Sequence, residues 1–239
     1  MNQDTIAVIL AGGFGTRVKH LLPNIPKPMA SVAGKPFVEW IIKYLFAQGL
    51  TDIILSTGYL AEVIQSYFET NPIEGINLES YQETKPLGTG GGFVNIVKQS
   101  GKKPKAWLIT NGDSLIFTDL SPLWTYLADD SVSGVILGLS VTDTSRYGSL
   151  VYDQDGNLVN FAEKQPGKGV INAGVYLLRH NLVTKFPSIN PLSFEQDIFP
   201  FLLQQGIKIK VQIVTAPFLD IGTPATLSQA EQFIQQNWH

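Results

Sequence analysis

The chain contains no cysteine. Disulfides, thiolate chemistry and cysteine-ligated metal sites are therefore excluded. Histidine is scarce: His20, His180 and His239 are scattered, with no metal-ligand spacing among them. Charge of one sign is also lacking. Seventeen Lys and Arg against twenty Asp and Glu leave a formal net charge of -3, which is not the basic footprint of a nucleic-acid binder. No apolar run reaches the length of a bilayer span. Met1 leads through a short acidic-polar stretch into an apolar segment, so no signal peptide is expected and a soluble, cytoplasmic protein is the default. There is no internal repeat, and no hexapeptide periodicity follows the last helical segment, so a C-terminal β-helix is not expected.

What is present is 239 residues, 44% of them hydrophobic, enough for one substantial buried core. Ile6-Ala7-Val8-Ile9-Leu10 is a continuous apolar run followed at once by glycines, the pattern of a central strand in a parallel sheet. Residues 37–50 have helical spacing, with Phe37, Ile41, Leu45 and Phe46 expected on one face and Gly49 near the stop. Strands are expected at 52–57, 77–81, 106–110 and 135–141, and helices at 61–68, 88–97 and 120–127. This alternation predicts an α/β fold: a Rossmann-like mixed, mainly parallel sheet with helices on both faces. After about residue 145 the rhythm changes. Asp155-Gly156 marks a hairpin between short apolar runs, 171–178 reads as a strand, and 194–205 and 224–236 read as helices. We read the chain as one domain, with an α/β half to about 145 and a smaller α+β lobe from 146 to 239 on the same sheet.

Two motifs follow the first strand. In Leu10-Ala11-Gly12-Gly13-Phe14-Gly15-Thr16-Arg17 the glycines let the backbone approach a phosphate and aim N–H groups at it, and Arg17 adds a cation. It is not the dinucleotide fingerprint, because no third glycine follows, and not a P-loop, because no Gly-Lys-Ser/Thr follows. In Pro26-Lys27-Pro28-Met29 two prolines hold the segment extended and direct Lys27. Alone, the first is a tight turn and the second a rigid loop with a solvated lysine.

Together, and in this order, they resemble the signature of the sugar-phosphate nucleotidyltransferase family. The resemblance runs from residue 6 to about 230. It continues through Pro86-Leu87-Gly88-Thr89-Gly90-Gly91, similar to the family's nucleobase loop, and Asn111-Gly112-Asp113, similar to its metal-binding Asp. Tyr147-Gly148, Phe161-Ala162-Glu163-Lys164 and Asn172-Ala173-Gly174 resemble its sugar and sugar-phosphate contacts, and Leu219-Asp220-Ile221-Gly222 the segment with its second metal-binding Asp. Arg146-Tyr147-Gly148, the segment from Ile171 to Tyr176, and Ser193-Phe194-Glu195-Gln196-Asp197 are similar to the D-glycero-D-manno-heptose 1-phosphate guanylyltransferases of bacterial surface-glycan pathways.

The resemblance implies the nucleotide-diphospho-sugar transferase fold and a reaction in which a sugar 1-phosphate attacks the α-phosphorus of a nucleoside triphosphate, GTP for the guanylyl branch, releasing pyrophosphate. That attack needs no general base. It needs positioning and cations, because two polyanions must meet. Mg²⁺ would be held by Asp113 and Asp220. Arg17 and Lys27 would act on the triphosphate and Lys164 on the sugar phosphate. Leu10, Ala11, Gly12, Gly13, Gly15, Thr16, Glu83, Pro86, Gly88 and Thr89 would hold the nucleotide. Asn111, Tyr147, Gly148, Glu163, Asn172 and Gly174 would hold the sugar. Where some uridylyl- and thymidylyltransferases of the family carry Gln, this chain has Glu83. A carboxylate only accepts hydrogen bonds, and guanine offers two adjacent donors, N1–H and N2–H₂. Cytosine also offers a donor. Mannose 1-phosphate with GTP, and a hexose 1-phosphate with UTP or dTTP, remain open. So do a nucleotide-sugar glycosyltransferase, although Asp113 lacks the usual Asp-x-Asp partner, and a non-catalytic nucleotide-sugar sensor. A homo-oligomer is compatible with the sequence; nucleic acid and membrane partners are not expected.

Overall fold

The computed structural model describes residues 4–162 and 166–238. β1 (Thr5–Ala11) leads through two short 3-10 turns and a small hairpin, β2 (Ser31–Val32) and β3 (Lys35–Pro36), into α1 (Phe37–Ala47). Then come β4 (Asp52–Thr57), α2 (Ala61–Thr70), β5 (Asn77–Gln82), α3 (Gly88–Ser100), β6 (Ala106–Asn111), β7 (Ser114–Ile116), α4 (Ser121–Tyr126) and β8 (Val132–Val141). The second half holds β9 (Ser149–Tyr152), β10 (Leu158–Ala162), β11 (Gly169–Arg179), α5 (Phe199–Gln204), β12 (Lys208–Val214), β13 (Phe218–Asp220) and α6 (Pro224–Asn237).

Strands β5, β4, β1 and β6 lie side by side and parallel. β11 runs antiparallel to β6 and carries the sheet on toward β9 and β10, and also toward β8, against which β12 lies parallel. The central strands read as unbroken apolar runs because both faces of the sheet are covered. Along β1, Ala7, Ile9 and Ala11 enter one core with α1, α2, α4 and α6, while Val8 enters the other with α3, α5 and the turn before α5. β6 divides the same way: Ala106 and Leu108 to the first core, Trp107 and Ile109 to the second. Burying each of the Val, Ile and Leu side chains among them contributes roughly 1.5–3 kcal/mol, which fixes these strands at the centre.

Three sequence expectations need correction. Phe46 does not share the buried face of α1; it is 40% exposed, whereas Phe37, Ile41 and Leu45 are buried. At about 100° per residue, nine positions after Phe37 put Phe46 on the opposite side of the helix. The segment 194–205 does not start as an α-helix: Phe194–Ile198 is a π-helical turn that passes into α5. β12 was not expected at all, although Ile209, Val211 and Ile213 alternate with polar residues; Ile209 and Val211 are buried and Ile213 is exposed. Among the described residues no helix is long and apolar enough to cross a membrane.

Candidate active site

β1 pairs with β4 on one side and β6 on the other, so chain connections leave it in opposite directions and open a crevice at the strand ends. A cleft of about 330 Å³ lies there. Of the nucleotide-side residues expected from sequence, Leu10, Ala11, Gly12, Gly13, Gly15, Glu83, Pro86, Gly88 and Thr89 line it, together with Lys27, Asn111 and Asp113. Phe14, Pro28, Ser56, Gly92 and Gly112 line it as well. The glycine loop does not open an α-helix. Thr16 and Arg17 follow in an exposed turn that leads to the 3-10 turn Lys19–Leu21, so any phosphate here meets loop amides rather than the end of a long helix.

Glu83 follows β5 directly, its backbone N–H bonded to Thr57 O at 2.8 Å. Its side chain turns into the cleft, into space that exists because Gly12 and Gly58 have no Cβ. A Cβ on Gly58 would stand 2.8 Å from Glu83 Oε1, and one on Gly12 would collide with the same atom. Oε2 accepts from the Leu87 N–H at 3.3 Å. Burial pushes the Glu83 carboxyl up from its ordinary range, against that single amide, which pulls it down.

The two acidic candidates come together through a short two-stranded ladder. β7 and β13 pair antiparallel with Asp220 opposite Ser114, and the Ile221 N–H donates to Asp113 O at 2.8 Å. Asp113 carries an ion pair from Lys27 and accepts from Ser114 Oγ at 3.1 Å. Asp220 accepts from the Tyr147 hydroxyl, from Arg146 Nη2 at 3.3 Å and from the Gly222 N–H at 3.0 Å. The Arg17 guanidinium is beside Gly222: its Nη2 lies 3.4 Å from where a Cβ would stand. Burial, then the bond to Asp220, raises the Tyr147 phenol well above its ordinary range, so it is a donor to that carboxylate.

On the other flank Gly174, at φ +73°, turns tightly against Asn111, whose side-chain amide occupies the space a Cβ would need. Asn172 Oδ1 accepts from the Gly174 N–H at 2.9 Å, and its Nδ2 donates to the Tyr176 hydroxyl at 2.8 Å. Gly148 lies by Ala162 O. Glu163 and Lys164, expected on the sugar and its phosphate, lie outside the described residues.

The sequence profile of nucleotidyl transferases matches residues 6–237. This chain belongs to the nucleotidyl transferase family. Among curated members of that family, D-glycero-alpha-D-manno-heptose 1-phosphate guanylyltransferase of Campylobacter jejuni is 38% identical over 91% of this chain and 95% of its own length. Mannose-1-phosphate guanylyltransferase of Mycobacterium tuberculosis is 33% identical over 91% of this chain, which spans 61% of that longer protein. Among solved structures, HddC from Yersinia pseudotuberculosis complexed with GMP-PN is 36% identical, with a TM-score of 0.81 over 95% of this chain and 97% of that one. A thymidylyltransferase-like structure from Bacillus anthracis, 20% identical, has the same fold, with a TM-score of 0.82 over 95% of this chain and 94% of that one.

In this nucleotidyl transferase the loop 86–91 is clamped from the far half of the chain. Leu192 N–H bonds to Leu87 O at 2.7 Å, and Gly91 N–H to Leu192 O at 3.0 Å. Gly88, at φ +78°, leaves no room for a side chain: a Cβ would stand 2.5 Å from Leu192 O. Gly88→Ala should therefore destabilise the fold by about 1–3 kcal/mol, from strain and overpacking together. Chemical denaturation checks this, with Gly13→Ala as control, since a Cβ there meets nothing within 4 Å. Equal midpoints for Gly88→Ala and wild type would show that the loop relaxes freely.

Proposed function

We propose that this nucleotidyltransferase joins GTP to D-glycero-D-manno-heptose 1-phosphate, giving GDP-heptose and pyrophosphate, in the cytoplasm and in the service of surface-glycan assembly. The observation that carries the guanylyl reading is the Glu83 carboxylate turned into the cleft over Gly12 and Gly58. The sugar reading is supported by the similarity to the heptose 1-phosphate enzyme of Campylobacter jejuni.

A phosphate oxygen of the sugar 1-phosphate attacks the α-phosphorus in line. The bond from the α-phosphorus to the bridging oxygen breaks, and pyrophosphate departs with the electron pair. The nucleophile is already anionic, so the protein's work is positioning and charge compensation. The glycine loop amides and Arg17 receive the triphosphate. Lys27, now on Asp113, is close enough to the cleft to serve the leaving phosphates. Asn111, Tyr147, Gly148, Asn172 and Gly174 form the sugar wall, with Glu163 on sugar hydroxyls.

Asp113 on the cleft lining, and Asp220 brought near it by the β7–β13 ladder, offer an all-oxygen donor pair, and among the described residues no cluster of three or more His, Cys, Asp or Glu adds to it. Two carboxylates completed by substrate phosphates and water suit Mg²⁺. When bound, the ion supplies positive charge against the charge that develops on the phosphoryl oxygens.

A panel of four nucleoside triphosphates against heptose, mannose and glucose 1-phosphates, read by pyrophosphate release, tests the assignment. Preference for UTP or dTTP would overturn the guanylyl reading, and preference for mannose 1-phosphate the heptose reading. Lys164→Ala should raise KM for the sugar 1-phosphate by roughly tenfold, the worth of one charge-assisted hydrogen bond, and leave KM for GTP unchanged. A rise confined to GTP would reverse the two subsites.

A further inference from the structure

Glu195 does not line the cleft but links Thr89, which does, to the buried Tyr176. Its Oε1 accepts from the Tyr176 hydroxyl at 2.8 Å; its Oε2 accepts from Ser193 Oγ at 2.9 Å and Thr89 Oγ1 at 3.4 Å. Thr89 also accepts from the Phe194 N–H at 3.1 Å, so its hydroxyl faces the turn before α5 as well as the cleft. Tyr176 is fully buried between Phe194 and Phe199.

The direction of these hydrogen bonds is set by two groups of fixed character, the Glu195 carboxylate at one end and the Gly174 N–H at the other. A carboxylate only accepts, so the Tyr176 O–H must point at Glu195. Burial holds the Tyr176 phenol well above its ordinary range, so it keeps that proton. Its oxygen then has only lone pairs for Asn172, and it is the Nδ2 side of the Asn172 amide that faces it. The opposite side, Oδ1, is thereby aimed at the Gly174 N–H. Which way an Asn amide points is decided by its hydrogen-bond partners, and here the Gly174 N–H on one side and the Tyr176 oxygen, held by Glu195, on the other favour the same orientation.

We propose that Glu195 is a positioning residue that, through Tyr176, orients the Asn172 amide so that its remaining Nδ2–H is presented to the sugar 1-phosphate. The inference rests on placing Asn172 on the sugar side of the cleft. Glutamine at 195 can donate as well as accept. The Tyr176 hydroxyl could then turn its proton toward Asn172, the amide would flip, and the Gly174 N–H would lose its acceptor.

The test is steady-state kinetics of pyrophosphate release with GTP and heptose 1-phosphate for wild type, Glu195→Gln, Tyr176→Phe, Asn172→Ala and the double variant Glu195→Gln/Asn172→Ala, with melting temperatures alongside. Wild-type turnover of that pair tests the proposed function. The ratios among variants, measured with whichever sugar 1-phosphate the wild type turns over, test this inference. Glu195→Gln and Tyr176→Phe should each raise KM for the sugar 1-phosphate by roughly tenfold, the size of one misdirected hydrogen bond, with KM for GTP and kcat within about twofold. In the Asn172→Ala background Glu195→Gln should add nothing, because the group it orients is gone. An equal rise in both backgrounds would overturn the proposal. So would a joint fall of kcat, both affinities and melting temperature, which is the mark of a structural role alone. Tyr176→Phe removes one hydroxyl and keeps the ring packing, so it gives the readout should the charge change at Glu195 impair folding.

Discussion

Asp113→Asn should keep the fold and lose about 10³-fold in kcat/KM, the usual size of losing a key electrostatic group in a water-poor site. The substitution is isosteric, and the backbone contacts that place residue 113, its carbonyl with the Ile221 N–H and the ladder that starts at the next residue, Ser114 opposite Asp220, do not involve the side chain. What changes is charge. The carboxylate now faces Lys27, and it is one of two carboxylates joined by that ladder. An amide is a weaker ligand for a hard divalent ion and no longer compensates a cation. Circular dichroism checks the fold, and pyrophosphate release over a Mg²⁺ titration checks the loss. Undiminished wild-type turnover in excess EDTA would remove the metal role from both Asp113 and Asp220.

The second large effect is expected in base choice. If Glu83 accepts from N1–H and N2–H₂ of guanine, GTP should be preferred over ITP, which lacks the N2 amino group and would leave part of a buried carboxylate unpaired. That penalty is on the order of 1–3 kcal/mol, or roughly ten- to hundredfold in kcat/KM. Glu83→Gln should narrow the gap, because an amide can offer either a donor or an acceptor, and should admit UTP, whose N3–H and O4 suit a Gln. The room for this side chain exists because Gly12 and Gly58 have no Cβ, and a Gln of the same size fits it. The measurement is kcat/KM for GTP, ITP and UTP in both proteins. Equal wild-type values for GTP and ITP would take Glu83 out of base recognition. The elevated carboxyl adds a direction in pH: free Glu83 gains its proton at a higher pH than a solvent-exposed glutamate, so GTP preference should weaken earlier on acidification.

Much of the architecture was legible because it is written in local periodicity. The apolar run at β1, the glycines after it and the helical spacing of α1 need no partner to be recognised. The second half was less legible. β7 and β13 are three residues each, too short for any period to show, yet their pairing brings Asp113 and Asp220 together. β12 alternates as a strand should, but its place beside β8 follows from a long-range ladder.

By itself, then, the sequence determined the layered α/β fold, the glycine loop at the end of the first strand and the ordered motifs that mark a nucleotidyl transferase, because apolar spacing, glycine and proline act on the chain where they stand. Only the tertiary structure decided which way Glu83 turns, since the room it enters is made by Gly12 and Gly58 on two other loops. It alone decided that Lys27 rests on Asp113 and Arg146 on Asp220. It alone joined Thr89 to Asn172 through Glu195 and Tyr176. Each of these is a contact between segments distant along the chain, and a hydrogen bond or ion pair forms only between atoms brought within about 3 Å, a separation that packing sets.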